Sequence, residues 1–133
     1  MVVDSSAVLA VLFNEPERDA FADALCAAAV RLMSSVNVLE AAVVASSRKG
    51  PHGARELDLL LHRAEIEVTP FTSDHLRLSR DAYERYGKGR HPAGLNLGDC
   101  CAYALASYTG EPLLFKGIDF QRTDVTPALG SSP

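Results

Sequence analysis

Four carboxylates occupy places where an acid is conspicuous. Asp4 closes the short apolar run VV, and Glu40 is the one charged residue inside the apolar stretch VNVLEAAVVAS. Asp99 opens CCAYALASY after a loop containing Gly and Pro, and Asp119 follows LLF across the turn KGI. Three of the four stand in apolar surroundings, where a lone charge is costly and a bound cation removes the cost. A set of oxygen ligands with few or no nitrogen or sulfur partners favours Mg2+ or Mn2+ over zinc. The chemistry that suits such a site is phosphodiester hydrolysis. An ion lowers the pKa of an attacking water, and it or a second ion stabilises the leaving oxygen, so no protein nucleophile is required. Asp4 and Asp99 are assigned as direct ligands, Asp119 as ligand or water-positioning base, and Glu40 as ligand or water-mediated support.

Each acid also has a plainer reading. An Asp at a strand-to-helix turn is what a helix N-cap requires, which suits Asp4 and Asp99 alike. A single Glu in an apolar helix sits at an exposed point or beside a base, although no base lies three or four residues from Glu40. Asp119 next to a glycine is an ordinary turn residue. It is the joint pattern that favours a site. Around it, Ser6 is a candidate for contact with a metal-bound water or phosphate, or for capping. Lys116 is a candidate phosphate contact, and Asp124 either supports the site from behind or caps a turn. His52, His62 and His75 lack the H-x-x-x-H pairing of a histidine metal site, and His91 with Pro92 shapes a loop.

The acids need elements that bring them to one edge. Val2 and Val3 read as a short central strand, with Ser5 or Ser6 placed to cap an apolar helix over Ala7 to Phe13. Glu17 to Ala29 follows as an amphipathic helix, then Val30 to Met33 as a strand. Val36 to Ser47 is a helix ended by the breakers Lys49, Gly50, Pro51 and Gly53, and Ala54 to Arg63 resumes it. Ile66 to Pro70 holds a third strand, and Ser73 to Tyr86 a polar helix. Cys100 to Tyr108 is an apolar helix stopped by Gly110 and Pro112, Leu113 to Phe115 a fourth strand, and Val125 the start of a short last one. Strands alternating with helices predict an α/β fold with a parallel sheet, whose ligands bind beyond the carboxyl ends of the strands. Asp4, Asp99 and Asp119 all fall near that edge.

With 133 residues, 47% of them hydrophobic, the chain is expected to form a single domain over 1–133, with a frayed GSSP tail. The apolar opening lacks the basic n-region of a signal peptide, and no apolar run is long enough to span a membrane, so the cytoplasm is the expected compartment. Cys26, Cys100 and Cys101 have no metal-binding spacing and read as small buried side chains. Thirteen basic against seventeen acidic residues, a net charge of −4, argue against binding nucleic acid through a globally positive surface. A local basic stretch, with Arg77, Arg80, Arg85, Lys88 and Arg90, offers either a backbone-tracking surface or a solvated helix face.

Four segments carry a resemblance along almost the whole chain: VVDSSAVLAVLFNEPE, SSVNVLEAAVV, GKGRHPAGLNLGDCCAYALA and PLLFKGIDFQRTDV. They resemble the PIN-domain ribonucleases and, among these, the VapC toxins of type II toxin–antitoxin pairs. The family's acids fall on Asp4, Glu40, Asp99 and Asp119, the set reached from the residues themselves. The resemblance implies a three-layer α/β/α sandwich with a central, mostly parallel sheet. It also implies Mg2+ or Mn2+ dependence, endoribonuclease activity on an RNA substrate, and a homodimer that a cognate VapB-type antitoxin neutralises in a heterotetramer or larger complex. Residues 52–86 carry no family signature, and Ile118 stands where many relatives have a polar residue. Two alternatives remain at this level. One is a phosphoryl-transfer or phosphatase-type α/β domain built on Asp4, against which Ser6 stands where a second acid is wanted. The other is a catalytically inactive PIN-like interaction module.

Overall fold

The computed structural model describes residues 1–130. Its sheet is built from four short parallel strands: β1 (Val2–Val3), β2 (Leu32–Ser34), β3 (Glu67–Thr69) and β4 (Leu113–Leu114). Their order is β3-β2-β1-β4, so β1 lies inside the sheet as its wholly apolar sequence requires. Val2 pairs with Leu32 on one side and Leu113 on the other. Adjacent strand residues point to opposite faces, and the two core clusters divide accordingly. Val3, Met33 and Leu114 pack with Val8, Phe21, Ala41 and Leu57. Val2 and Leu113 pack with Ala82, Ala102, Leu105 and Phe120.

The first of these layers comes from α1 (Ser5–Leu12), α2 (Arg18–Ala27) and α3 (Ser35–Arg63), the second from α4 (Ser73–Tyr86) and α5 (Leu97–Thr109). The architecture is therefore the three-layer α/β/α sandwich with a parallel sheet. Within α3, Gly50 adopts φ 63° and ψ −154°, a left-handed φ that favours glycine. The chain kinks there instead of stopping, since Pro51 directly after it sits where a new helical turn begins and needs no N–H donor.

Several boundaries differ from the sequence reading for local reasons. Helix α1 starts at Ser5, because Asp4 rather than Ser5 or Ser6 is its cap. Strand β2 begins at Leu32 instead of Val30, after Arg31 Nη1 closes the end of α2 by donating to the carbonyls of Leu25 and Ala28. The last strand expected from Val125 is reduced to a bridge between Pro127 and Leu113. Cys100 and Cys101 are buried, but Cys26 is exposed. Helix α2 buries only the stripe of Phe21 and Leu25, and the next position rotates away by about 100°. Of the tail expected to fray, 131–133 lie outside the described residues. Among the described residues no helix is long and apolar enough to cross a membrane.

Candidate active site

The carboxyl ends of β1 and β4 and the first turns of α1 and α5 form one edge, and Asp4 stands at its centre. Its backbone amide donates to Leu114 O at 2.9 Å. Its Oδ2 accepts the Ser6 amide at 3.0 Å and the Ser6 hydroxyl at 2.6 Å. The other oxygen, Oδ1, is buried without a hydrogen-bond partner, and the residue as a whole is 2% exposed. Burial pushes the Asp4 carboxyl from its ordinary 3.8 up to about 7 despite the two Ser6 bonds, and the charges of Asp99 and Glu40 add to the rise. Asp4 is thus both cap and candidate ligand, and one oxygen serves each purpose.

Asp99 is held on the first turn of α5 by a reciprocal capping box. Asn96 Oδ1 accepts the Asp99 amide at 2.9 Å, and Asp99 Oδ2 accepts the Asn96 amide at 3.0 Å. Asn96, not Asp99, is the cap. Burial, with smaller contributions from Asp119 and Glu40, raises the Asp99 carboxyl to about 6 against the pull of the Asn96 bond. Only one Asp99 oxygen is committed.

Glu40 projects from α3, one turn past the helix start. Its Oε1 accepts the Ser5 hydroxyl and, at 3.5 Å, the Asn37 amide group. Asn37 is wholly buried and also donates to Gly98 O at 2.9 Å, tying α3 to α5. The remaining space is filled by closeness to α5: a Cβ at Gly98 would stand 2.7 Å from the Glu40 carboxyl carbon. Asn37 and Gly98 were not singled out from sequence, and Ser5 was read only as a candidate helix cap. Asn37 was open to the argument used for Glu40, since a polar residue three positions earlier on the same apolar helix shares its face.

Asp119 opens a single 3-10 turn, Asp119–Arg122, beyond β4. Its side chain is exposed, and the turn is anchored through its neighbour Phe120, which is buried against Phe115 with ring centres 5.1 Å apart. The four acids therefore form one electrostatic group. Asp4 senses Asp99 and Glu40, and Asp99 senses Glu40 and Asp119. Among the described residues no three such groups are drawn in closely enough to make a finished metal cage. The donor set still suits a hard divalent cation: oxygen only, with a buried unpartnered oxygen on Asp4 and uncommitted oxygens on Asp99 and Asp119.

The three supporting candidates separate. Ser6 belongs to the site, binding Asp4 and accepting the Lys116 amide at 3.0 Å. The Lys116 side chain turns elsewhere, to Glu15 at 3.0 Å and Glu17 at 3.3 Å. Asp124 lies in a separate knot, accepting the Tyr103 hydroxyl at 2.5 Å and Arg85 Nη2 at 3.2 Å.

Residues 1–125 match the family described as PIN domain. The chain is 51% identical over 125 residues to ribonuclease VapC30 of Mycobacterium tuberculosis, covering 94% of this chain and 95% of that one. It is 51% identical over 125 residues to a ribonuclease VapC of Mycolicibacterium smegmatis, covering 94% and 97%. Against ribonuclease VapC28 of M. tuberculosis it is 48% identical over 130 residues, covering 97% and 98%. The fold is similar to the crystal structure of M. tuberculosis VapC20, described as a sarcin-ricin loop cleaving toxin. That match has a TM-score of 0.77, 14% identity and coverage of 94% and 95%.

Proposed function

From the premise that this chain belongs to the PIN-domain family and, within it, to the VapC ribonucleases, we propose that it is a Mg2+- or Mn2+-dependent endoribonuclease acting as the toxin of a type II toxin–antitoxin pair. The observation that carries the metal reading is Asp4 Oδ1, a buried carboxylate oxygen without a partner among the described residues, on a residue that feels the charges of Asp99 and Glu40. A buried charge in that position is costly unless a cation compensates it.

A divalent ion held by Asp4, Asp99, Asp119 and Glu40 would supply an activated water and charge neutralisation for the leaving oxygen. The chain's own residues do the rest. Ser6 fixes the Asp4 carboxyl through Oδ2 and leaves Oδ1 to bind. The capping box orients Asp99, so that one oxygen holds the helix turn and the other is left uncommitted. Ser5 and Asn37 hold Glu40 through Oε1, which leaves Oε2 to serve as a ligand or to support one through a water. Asp119 is exposed and accepts no side-chain hydrogen bond among the described residues, so it is the acid best placed to take a proton from the attacking water.

The antitoxin is expected to act on the same charge. An arginine from a VapB-type partner would pair with the carboxylates in place of the cation, since a planar guanidinium matches carboxylate geometry. A homodimer, and a heterotetramer or larger assembly with the antitoxin, belong to this proposal, with the cytoplasm as compartment.

The purified protein should cleave a structured RNA with Mg2+ or Mn2+ and stop in chelator. Asp4→Asn and Asp99→Asn should each lower cleavage at least a hundredfold while the circular dichroism spectrum stays native. Variants that cut like the parent would sink the metal reading. Growth arrest on expression, relieved by the product of an adjacent small open reading frame, tests the toxin assignment.

A further inference from the structure

Helix α3 buries Asn37, Ala41 and Ala45 as one stripe, a turn apart and each wholly inaccessible. Two of the three are the small apolar residues that such a stripe requires. The third is an amide, and burying an amide costs stability unless its polar atoms find partners. Asn37 finds them on one side only. Its Nδ2 donates to Gly98 O at 2.9 Å and reaches Glu40 Oε1 at 3.5 Å. Its Oδ1 is buried with no partner among the described residues. Reversing the amide gives no relief, because Oδ1 would then face the Gly98 carbonyl, where only a donor fits.

Nor does the fold need the bond that is made. Gly98 lies inside α5, where the helical ladder already brings its carbonyl the Ala102 amide. An apolar side chain at position 37 would leave no new buried group unpaired and would remove the orphaned oxygen. A residue that breaks the local pattern without serving the fold points to a site. The site is what the amide reaches. Gly98 directly precedes Asp99, and Glu40 lies one turn beyond Asn37 on the same helix. One side chain therefore grips the carbonyl beside one acid and the carboxylate of the other. Asp99 feels the charge of Glu40, and like charges on separate elements push those elements apart.

We infer that Asn37 is a positioning residue for the reaction: its amide holds α3 against α5 so that Glu40 and Asp99 serve one divalent cation together, at a cost in stability. The inference rests on the metal-dependent ribonuclease reading above and adds to it a residue that acts through the two acids. Side chains that orient metal ligands from behind are worth about ten- to a hundredfold in metal affinity or activity.

The test compares the full chain with Asn37→Leu, which keeps the branching of the side chain without its polar atoms, and with Asn37→Val, which is smaller should leucine lack room. The more stable of the two should equal or exceed the parent in metal-free urea melts, yet bind Mg2+ about tenfold more weakly by calorimetric titration. Its cleavage at a fixed Mg2+ concentration should show a lower kcat at an unchanged KM for RNA, because Asn37 makes no contact with the substrate. Parental Mg2+ affinity in that variant overturns the inference. So does metal-free stability below the parent in both variants, for the amide would then be holding the fold and not the site. The two readings separate in the parent chain. If the parent cleaves RNA with Mg2+ while both variants bind the ion as it does, the positioning role falls and the ribonuclease stands. If Mg2+ binding depends on Asn37 but the parent cuts no RNA, the ribonuclease falls and the positioning of the ion stands. A parent that binds no Mg2+ overturns both.

Discussion

A buried Asp4 carboxylate destabilises the chain that carries it. Its pKa rises from 3.8 to about 7 on folding, chiefly through burial, so the folded state binds the proton more tightly than the unfolded one. Stability in the absence of a cation is therefore highest at low pH and declines as pH climbs from about 4 to about 7. At 1.36 kcal/mol per unit, the ceiling on that loss is about 4 kcal/mol. Asp4→Asn keeps an oxygen for the two Ser6 donors and removes the charge. It should raise metal-free stability by about 1–3 kcal/mol at pH 8, and the gain should vanish near pH 4. Urea melts at the two pH values check this; a variant no more stable than the parent at pH 8 would mean the Asp4 charge is not strained. Gly98 makes a steric counterpart. A methyl there meets the Glu40 carboxyl, so Gly98→Ala should displace Glu40, lower cleavage at least tenfold and cost about 1–3 kcal/mol from overpacking. Wild-type turnover in Gly98→Ala would show that the position of Glu40 is immaterial.

At the scale of elements, the site depends on how the turn bearing Asp119 is pressed toward α5. The Tyr103–Asp124 bond at 2.5 Å and the Arg85–Asp124 pair at 3.2 Å tie the chain just beyond that turn to α5 and α4. Tyr103 lies one helical turn after Asp99. Burial, then Asp124, drives the Tyr103 hydroxyl upward, and Tyr103 in turn holds the Asp124 carboxyl down, so the bond joins a neutral phenol to an ionised acid. Tyr103→Phe should cost about 1.5–3 kcal/mol, the worth of a hydrogen bond to a charged group. It should also weaken Mg2+ binding severalfold by loosening Asp119, with calorimetric titration as the readout. The acids and the strand–helix alternation were legible from sequence because each depends on near neighbours: Asp4 ends a run of valines, and Glu40 interrupts an apolar helix. Ser5 and Gly98 were not legible as site residues, since each matters there only through a contact with another element, and of Asn37 the sequence offered its place on the Glu40 face but not its bond to Gly98 O. Gly50 and Pro51 were read correctly as breakers, yet whether the chain turns away or continues past a kink is decided by what the second half of α3 packs against. Leu57 and Leu61 in that half are buried in the same core as Ala41 and Ala45 of the first.

For the whole molecule these local costs merge into one linkage between metal, proton and folding. A ligand that binds only the folded chain stabilises it by RT ln(1 + [L]/Kd), and carboxylates must lose their protons before they can bind a cation. Asp4 and Asp99, raised by burial to about 7 and about 6, hold those protons well above the ordinary carboxylate range. Below about pH 6 both carboxyls are largely protonated and Mg2+ must compete with protons. Above about pH 7 both are charged, the metal-free fold carries its greatest electrostatic strain, and Mg2+ both binds best and relieves most. The stabilisation by millimolar Mg2+ should therefore grow steeply between pH 5 and pH 8. It should be close to zero at the lower end, and a sodium chloride control of equal ionic strength should reproduce only a small part of it, because exposed charge is screened whereas the buried Asp4 is not. Thermal melts across that range, with and without Mg2+, measure the effect, and Asp4→Asn should flatten it. A Mg2+ shift of equal size at pH 5 and pH 8 would place the ion away from these carboxylates.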